Sequence, residues 1–187
     1  LEPFVLDYTA PFVERILIGL VLVLLFASLR LDDLLHSPPD LVHLEAGVLL
    51  GIAWQTKVDR CRKGTRSSCT RGSVSGGDWV PIWLDLVRTM TIDSTKPPRD
   101  HVLSVPNDEM NGFTDQPMEY DAFMTLIKPI FEKIGISRSL TSKIHMCRRW
   151  IRTLGAFSGE KEAPMTLQGN WANPKMGIEY TAFARYL

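Results

Sequence analysis

His145 and Arg148 stand three apart in "LTSKIHMCRRWIRTLGAF", a stretch whose apolar residues have helical spacing. Residues three apart share a helix face. They fall in the first turns of the expected helix, after Thr141 or Ser142 as cap, where free backbone N–H groups and the dipole favour an anion. A guanidinium grips phosphate through two parallel hydrogen bonds and never loses its proton, while an imidazole can donate a proton or take one. Alone, a His-x-x-Arg pair is ordinary helix surface. Here Trp171 follows Arg148 by 23 residues and Tyr180 follows Trp171 by nine. An indole N–H is a donor only, which suits a phosphate oxygen, and a phenol can attack phosphorus and hold it covalently. Upstream stand Arg30, Asp33 three residues later, and Lys57.

These groups are far apart in the chain, so the elements between them must close up. Arg30 follows twelve uncharged, mostly aliphatic residues, Ile16 to Ala27, bounded by Glu14 and Arg15 and then by Ser28 and Arg30. A membrane-spanning helix needs about 20 apolar residues, and no basic leader marks the run as a signal peptide. The pattern predicts a helix from Pro11 to about Leu29, buried inside a folded domain and delivering Arg30 at its end. "RLDDLLHSPPDLV" predicts a short helix ending before Pro38 and Pro39. Val48 to Thr56 reads as a strand. After it, Lys57, Arg60, Arg62, Lys63, Arg66 and Arg71 make a basic hairpin or loop, either an anion-binding segment or simply a solvated one.

"WVPIWLDLVRTM" has helical spacing, and "STKPPRDHVLSVPNDEMNGF" reads as a connection with one short strand at His101 to Ser104. "MEYDAFMTLIKPIFEKIG" predicts a helix kinked at Pro129 and ended by Gly135. Asn173 and Pro174 open a last helix. No repeat or low-complexity tract interrupts the 187 residues. The expected fold is mainly α with one small antiparallel β-sheet (α+β).

Hydrophobic residues make up 45% of the chain and charged ones 22%, enough for a proper core. The formal net charge of zero excludes a global field that steers the protein to nucleic acid or membrane. An anion site must therefore come from local clustering, with Asp108, Glu109, Asp115 and Glu119 lying away from it. Cys61, Cys69 and Cys147 are odd in number and match no zinc spacing, which fits reduced thiols in an intracellular protein.

In order, the chain carries an Arg at the end of a buried helix, an acid three residues on, a hairpin Lys, His-x-x-Arg, Trp and then Tyr. This series resembles the catalytic domain of the tyrosine recombinases, the phage-integrase family, and its intervals look like those of Cre-type members with Trp at the fifth place. The resemblance runs from Pro11 to Tyr180. It implies that residues 1–187 are a single catalytic domain, a fragment of a longer protein without the N-terminal core-binding domain that clamps DNA. Three features depart from the family pattern. Ser28 stands where the family usually has Gly two before the first Arg, Arg149 stands where many members have His, and seven residues follow Tyr180.

The implied activity is DNA cleavage and rejoining through a covalent 3′-phosphotyrosine, as in an integrase or the recombinase of a mobile genetic element. Arg30 and Arg148 would clamp the nonbridging oxygens, and His145 and Trp171 would assist. Tyr180 would be the nucleophile, Lys57 would protonate the leaving 5′-oxygen, and Asp33 would orient Arg30. Arg60, Arg62, Lys63, Arg66 and Arg71 would hold DNA phosphates. Neither metal nor cofactor is expected, because the phosphotyrosine conserves the bond energy. The implied partners are double-stranded DNA and further protomers, forming a tetramer on DNA from a chain monomeric without it. The expected location is inside the cell, with the DNA and not at a membrane.

Competing readings stand beside these: Arg30 as a helix-end cap, Asp33 and Lys57 as solvated charges, Trp171 as core, and Tyr186 as a rival nucleophile whose offset from Trp171 is wrong. Tyr8 and Tyr120 lie far from the cluster and read as packing or surface. For the whole protein the alternatives are a topoisomerase-like nick-and-rejoin enzyme and a catalytically silent DNA-binding remnant.

Overall fold

The computed structural model describes residues 1–53, 65–70, 73–90 and 99–136, together with positions 144, 147 and 150. The helices are α1 (Glu2–Leu6), α2 (Phe12–Ala27), α3 (Leu31–Leu35), α4 (Trp79–Thr89) and α5 (Tyr120–Lys133). One antiparallel sheet holds β1 (His43–Glu45), β2 (Val48–Ala53) and β3 (Thr65–Thr70) in that order. A second pairs β4 (Ser104–Pro106) with β5 (Phe113–Pro117).

The expected buried helix is α2. Every residue from Val13 to Leu24 except Glu14 is buried, which an all-apolar helix requires. It is enclosed by α1, α4, α5 and β3. Among the described residues, no helix is long and apolar enough to cross a membrane. α2 packs closely on α4 at Gly19. A Cβ on Gly19 would collide with the Trp83 ring, so only glycine lets the indole lie so close. Trp83 Nε1 donates to the Ile16 carbonyl at 3.0 Å, which satisfies its N–H inside the core. Phe26 stacks on Trp79 with ring centroids 5.9 Å apart. Lys133 Nζ donates to Glu14 at 2.8 Å, tying the end of α5 to the start of α2.

The sequence pattern marks no element before Pro11, yet α1 forms there, held from outside itself. The buried Glu2 carboxylate accepts from Ser73 Oγ at 2.7 Å and from the Val74 and Ser75 amides at 3.0 and 2.7 Å. Burial pushes this carboxyl up, but the hydrogen bonds from Ser73, Ser75 and Val74 outweigh it and leave the pKa at about 2. Arg15 is buried beside α1. Its Nε donates to the Val5 carbonyl at 2.9 Å, and its guanidinium lies 4.9 Å from the Tyr8 ring centroid.

Two predicted elements change. The strand starting at Val48 is the second of a hairpin: β1 precedes it across a two-residue turn, Ala46 and Gly47, both at positive φ. The strand expected at His101 to Ser104 begins at Ser104. It is half of a second hairpin, so the chain has two small sheets among the described residues instead of one. Asn107 closes the β4–β5 turn, its Oδ1 accepting from the Asn111 and Gly112 amides at 3.1 Å. The helices expected after Pro11, after Arg30, at Trp79 and up to Gly135 are present, while the helix opened by Asn173 and Pro174 lies outside the described residues. Leu49 pairs with Cys69 in the β2–β3 ladder, both buried. Gly135 follows α5 at φ 78°, and the helix continues through Pro129. Burial pushes the Cys69 and Cys147 thiols up to about 12, so neither is a ready thiolate.

Candidate active site

The site residues within the described structure sit where α2 hands over to α3. α2 stops at Ser28, which is buried and left-handed at φ 53° and ψ 32°. Leu29 is buried and anchors the turn. Arg30 is extended at φ −79° and ψ 151° and stands at the N-cap of α3. The left-handed step makes Ser28 a costly departure: a chain leaving a helix this way favours Gly, which has no Cβ to crowd the following carbonyl.

α3 is five residues long, too short to hold itself. Leu31, Leu34 and Leu35 are buried and seat it on the core. Ser37 Oγ donates to the Asp33 carbonyl at 3.0 Å, and His36 Nδ1 to the Asp32 carbonyl at 2.7 Å. The Val102 amide donates to the Leu35 carbonyl at 3.2 Å, tying the end of α3 to a segment 67 residues away. Arg30 is half-buried, and among the described residues no hydrogen bond or ion pair engages its guanidinium. Two parallel N–H groups are thereby left for an oxyanion. Asp33 is buried on the same short helix.

Lys57, His145, Arg148, Trp171 and Tyr180 lie outside the described residues, as do Arg60, Arg62, Lys63, Arg71 and Tyr186. Arg66 occupies a β3 position paired with Ile52. In the expected His-x-x-Arg helix, Cys147 and Trp150 are helical, with Ile144 and Cys147 buried and Trp150 exposed.

Sequence reasoning missed the company that α3 keeps. Tyr120 is distant in sequence, yet burial and then the charges of Asp32 and Asp121 raise its phenol. The Asp100 carboxyl is held below its usual range, first by the hydrogen bond from His101 and with a smaller contribution from His36. No motif could have announced these neighbours, because tertiary packing creates them.

No protein-family model matches the chain, and no curated protein matches it. Solved structures do. The XerH site-specific recombinase bound to palindromic difH substrate, a post-cleavage complex, is similar at a TM-score of 0.63 and 15% identity, over 92% of this chain and 43% of that one. The pre-cleavage complex of XerH with difH is similar at a TM-score of 0.58 and 15% identity, over 90% of this chain and 42% of that one. The chain spans less than half the length of these recombinase chains. Its architecture, helices around a buried α2 with small antiparallel sheets, is the fold of a tyrosine recombinase catalytic domain.

Proposed function

We propose that this chain is the catalytic domain of a tyrosine recombinase that cleaves and rejoins DNA through a 3′-phosphotyrosine on Tyr180. The observation that carries the reading is the placement of Arg30. In a fold similar to recombinases solved on DNA, the arginine expected at the site follows the buried helix, half-exposed and without a protein partner among the described residues. A guanidinium so held can meet charge that builds on a nonbridging phosphate oxygen during in-line attack. Arg148 supplies the second clamp, His145 and Trp171 further donors, and Lys57 the proton for the leaving 5′-oxygen. Asp33 supports Arg30 from the same helix, and Arg60, Arg62, Lys63, Arg66 and Arg71 neutralise flanking phosphates. The working form is a tetramer on double-stranded DNA, inside the cell.

The test is a duplex nicked next to the cleavage site, which traps the covalent intermediate. The wild-type chain, or the chain joined to its DNA-clamping domain, should form an adduct that survives denaturant, and Tyr180→Phe should form none. Absence of any adduct from wild-type protein shown to bind the duplex would overturn the proposal. Relaxation of supercoiled plasmid with no recombinant product would point instead to topoisomerase-like chemistry. DNA binding with no cleavage would point to a silent remnant.

A further inference from the structure

Outside the site, a buried polar cluster sits at the start of β4. His101 and Ser104 are 7% and 1% exposed. His101 Nδ1 lies 2.8 Å from Asp100 Oδ1, and Nε2 lies 3.0 Å from Ser104 Oγ. Arg99 NH1 donates to that same Ser104 oxygen at 3.2 Å, and NH2 donates to the Val87 carbonyl near the end of α4 at 3.5 Å. A carboxylate only accepts, so Nδ1 donates to Asp100, and in that tautomer Nε2 is the acceptor. Nε2 then accepts the Ser104 hydroxyl proton, and the Ser104 oxygen accepts from Arg99. Donation runs one way, from Arg99 through Ser104 and His101 to Asp100.

The order Ser–His–Asp resembles a nucleophile relay. A hydrolytic use does not fit, because Ser104 is sealed from solvent and its oxygen already holds an Arg99 N–H. What the relay does fix is the backbone it spans. Within it, the Val102 amide bonds the Leu35 carbonyl at the end of α3, and the Leu103 carbonyl accepts from the Met118 amide at 2.9 Å. The α3 ladder continues from the Leu34 amide to the Arg30 carbonyl at 3.2 Å.

We propose that His101 is a positioning residue for Arg30, acting through a clasp in which the buried His101–Ser104–Arg99 relay holds Val102 against the end of α3. The inference rests on the reading of Arg30 as a phosphate ligand. A short helix with one turn of its own hydrogen bonds takes its orientation from what holds its ends. A small misplacement of a clamping group can lower a rate by orders of magnitude while leaving binding intact.

Two measurements on the same variants test it. In His101→Ala, the Val102 and Leu34 amides should exchange with solvent about 10-fold faster or more, with α2 amides unchanged. Adduct formation on the nicked duplex should slow about 10-fold at unchanged DNA affinity, and the same substitution made in Arg30→Lys should change the rate by less than about 2-fold. A group that merely adds stability would not give that loss of additivity. His101→Gln, whose amide oxygen reaches toward the Ser104 hydroxyl, should recover much of both signals. Should His101→Ala not fold, Asp100→Asn tests the same relay from its exposed end and should give a smaller change of the same kind.

Unaltered Val102 and Leu34 exchange in the folded variants overturns the clasp. Loosened amides with a wild-type adduct rate overturn its link to Arg30. A wild-type chain that binds the duplex and forms no adduct defeats the recombinase reading instead, and exchange alone then decides the clasp.

Discussion

The crossing of α2 with α4 and the junction of α2 with α3 lie at opposite ends of one argument about fit. At the crossing, residue and geometry agree: Gly19 has no Cβ, and Trp83 fills the space that leaves and bonds the Ile16 carbonyl. At the junction they disagree. Ser28 holds a left-handed conformation suited to Gly, and Arg30 is left half-exposed with no partner among the described residues. The crossing carries no chemistry and is fixed by packing. The junction presents the candidate chemistry and is held at second hand, through backbone hydrogen bonds from Ser37, His36 and Val102. Sequences break local rules most readily where function sits, and the surrounding fold makes up the difference.

Substitution should separate the two regions. Gly19→Ala forces a methyl into the Trp83 ring, and overpacking of this kind costs about 3 kcal/mol. Urea unfolding should show a midpoint shift of that size; a loss under about 1 kcal/mol would mean that α4 can slide away, so the crossing is not fixed as described. Arg30→Ala should do the reverse. Adduct formation should fall about 100-fold or more, as for loss of one preorganised donor, while stability stays within about 0.5 kcal/mol. If both fall together, Arg30 is a structural cap and the contrast collapses.

Elements governed by one face or one breaker could be foreseen. α2 was legible because it is apolar all round, α3 because Pro38 and Pro39 stop it, and the end of α5 because Gly135 takes positive φ. Elements held by distant groups could not. α1 depends on the bonds of Glu2 to residues 73–75. β1 depends on a turn that places an alanine, Ala46, at φ 48°. β5 is exposed at Thr114, Asp115, Gln116 and Pro117, so it shows no alternation to read. The site divides in the same way. Arg30's place after the greasy run was legible, whereas the bond from Val102 to the end of α3 arises only through tertiary packing.

The Glu2 latch lies between the two regions in strength, a polar tie that behaves like a core contact. Its folded-state pKa, about 2, lies below the ordinary 4.5. A depressed carboxyl contributes stability that is present above the unfolded pKa and lost as pH falls through the folded one. Glu2→Gln should cost about 1–2 kcal/mol at neutral pH, after allowance for solvent screening at the end of α1. The gap between wild type and variant should narrow as pH falls from about 4.5 toward 2, read from urea midpoints across that window. A constant gap would mean that the side chain's shape matters and its charge does not.

The smallest expected effect bears most directly on the comparison. Ser28→Gly puts into the junction the residue its backbone favours. Relief of the left-handed conformation is worth about 1–2 kcal/mol, and the greater freedom of glycine in the unfolded chain takes back about 0.5–1. The net gain should be about 0.5–1 kcal/mol, raising the melting temperature by a few degrees. Because Leu29 and the α3 bonds are untouched, adduct formation should not change. A variant that is instead destabilised would show that the buried Ser28 side chain holds the turn in a way its φ angle does not reveal. The junction would then be as closely fitted to its own residue as Gly19 is to Trp83.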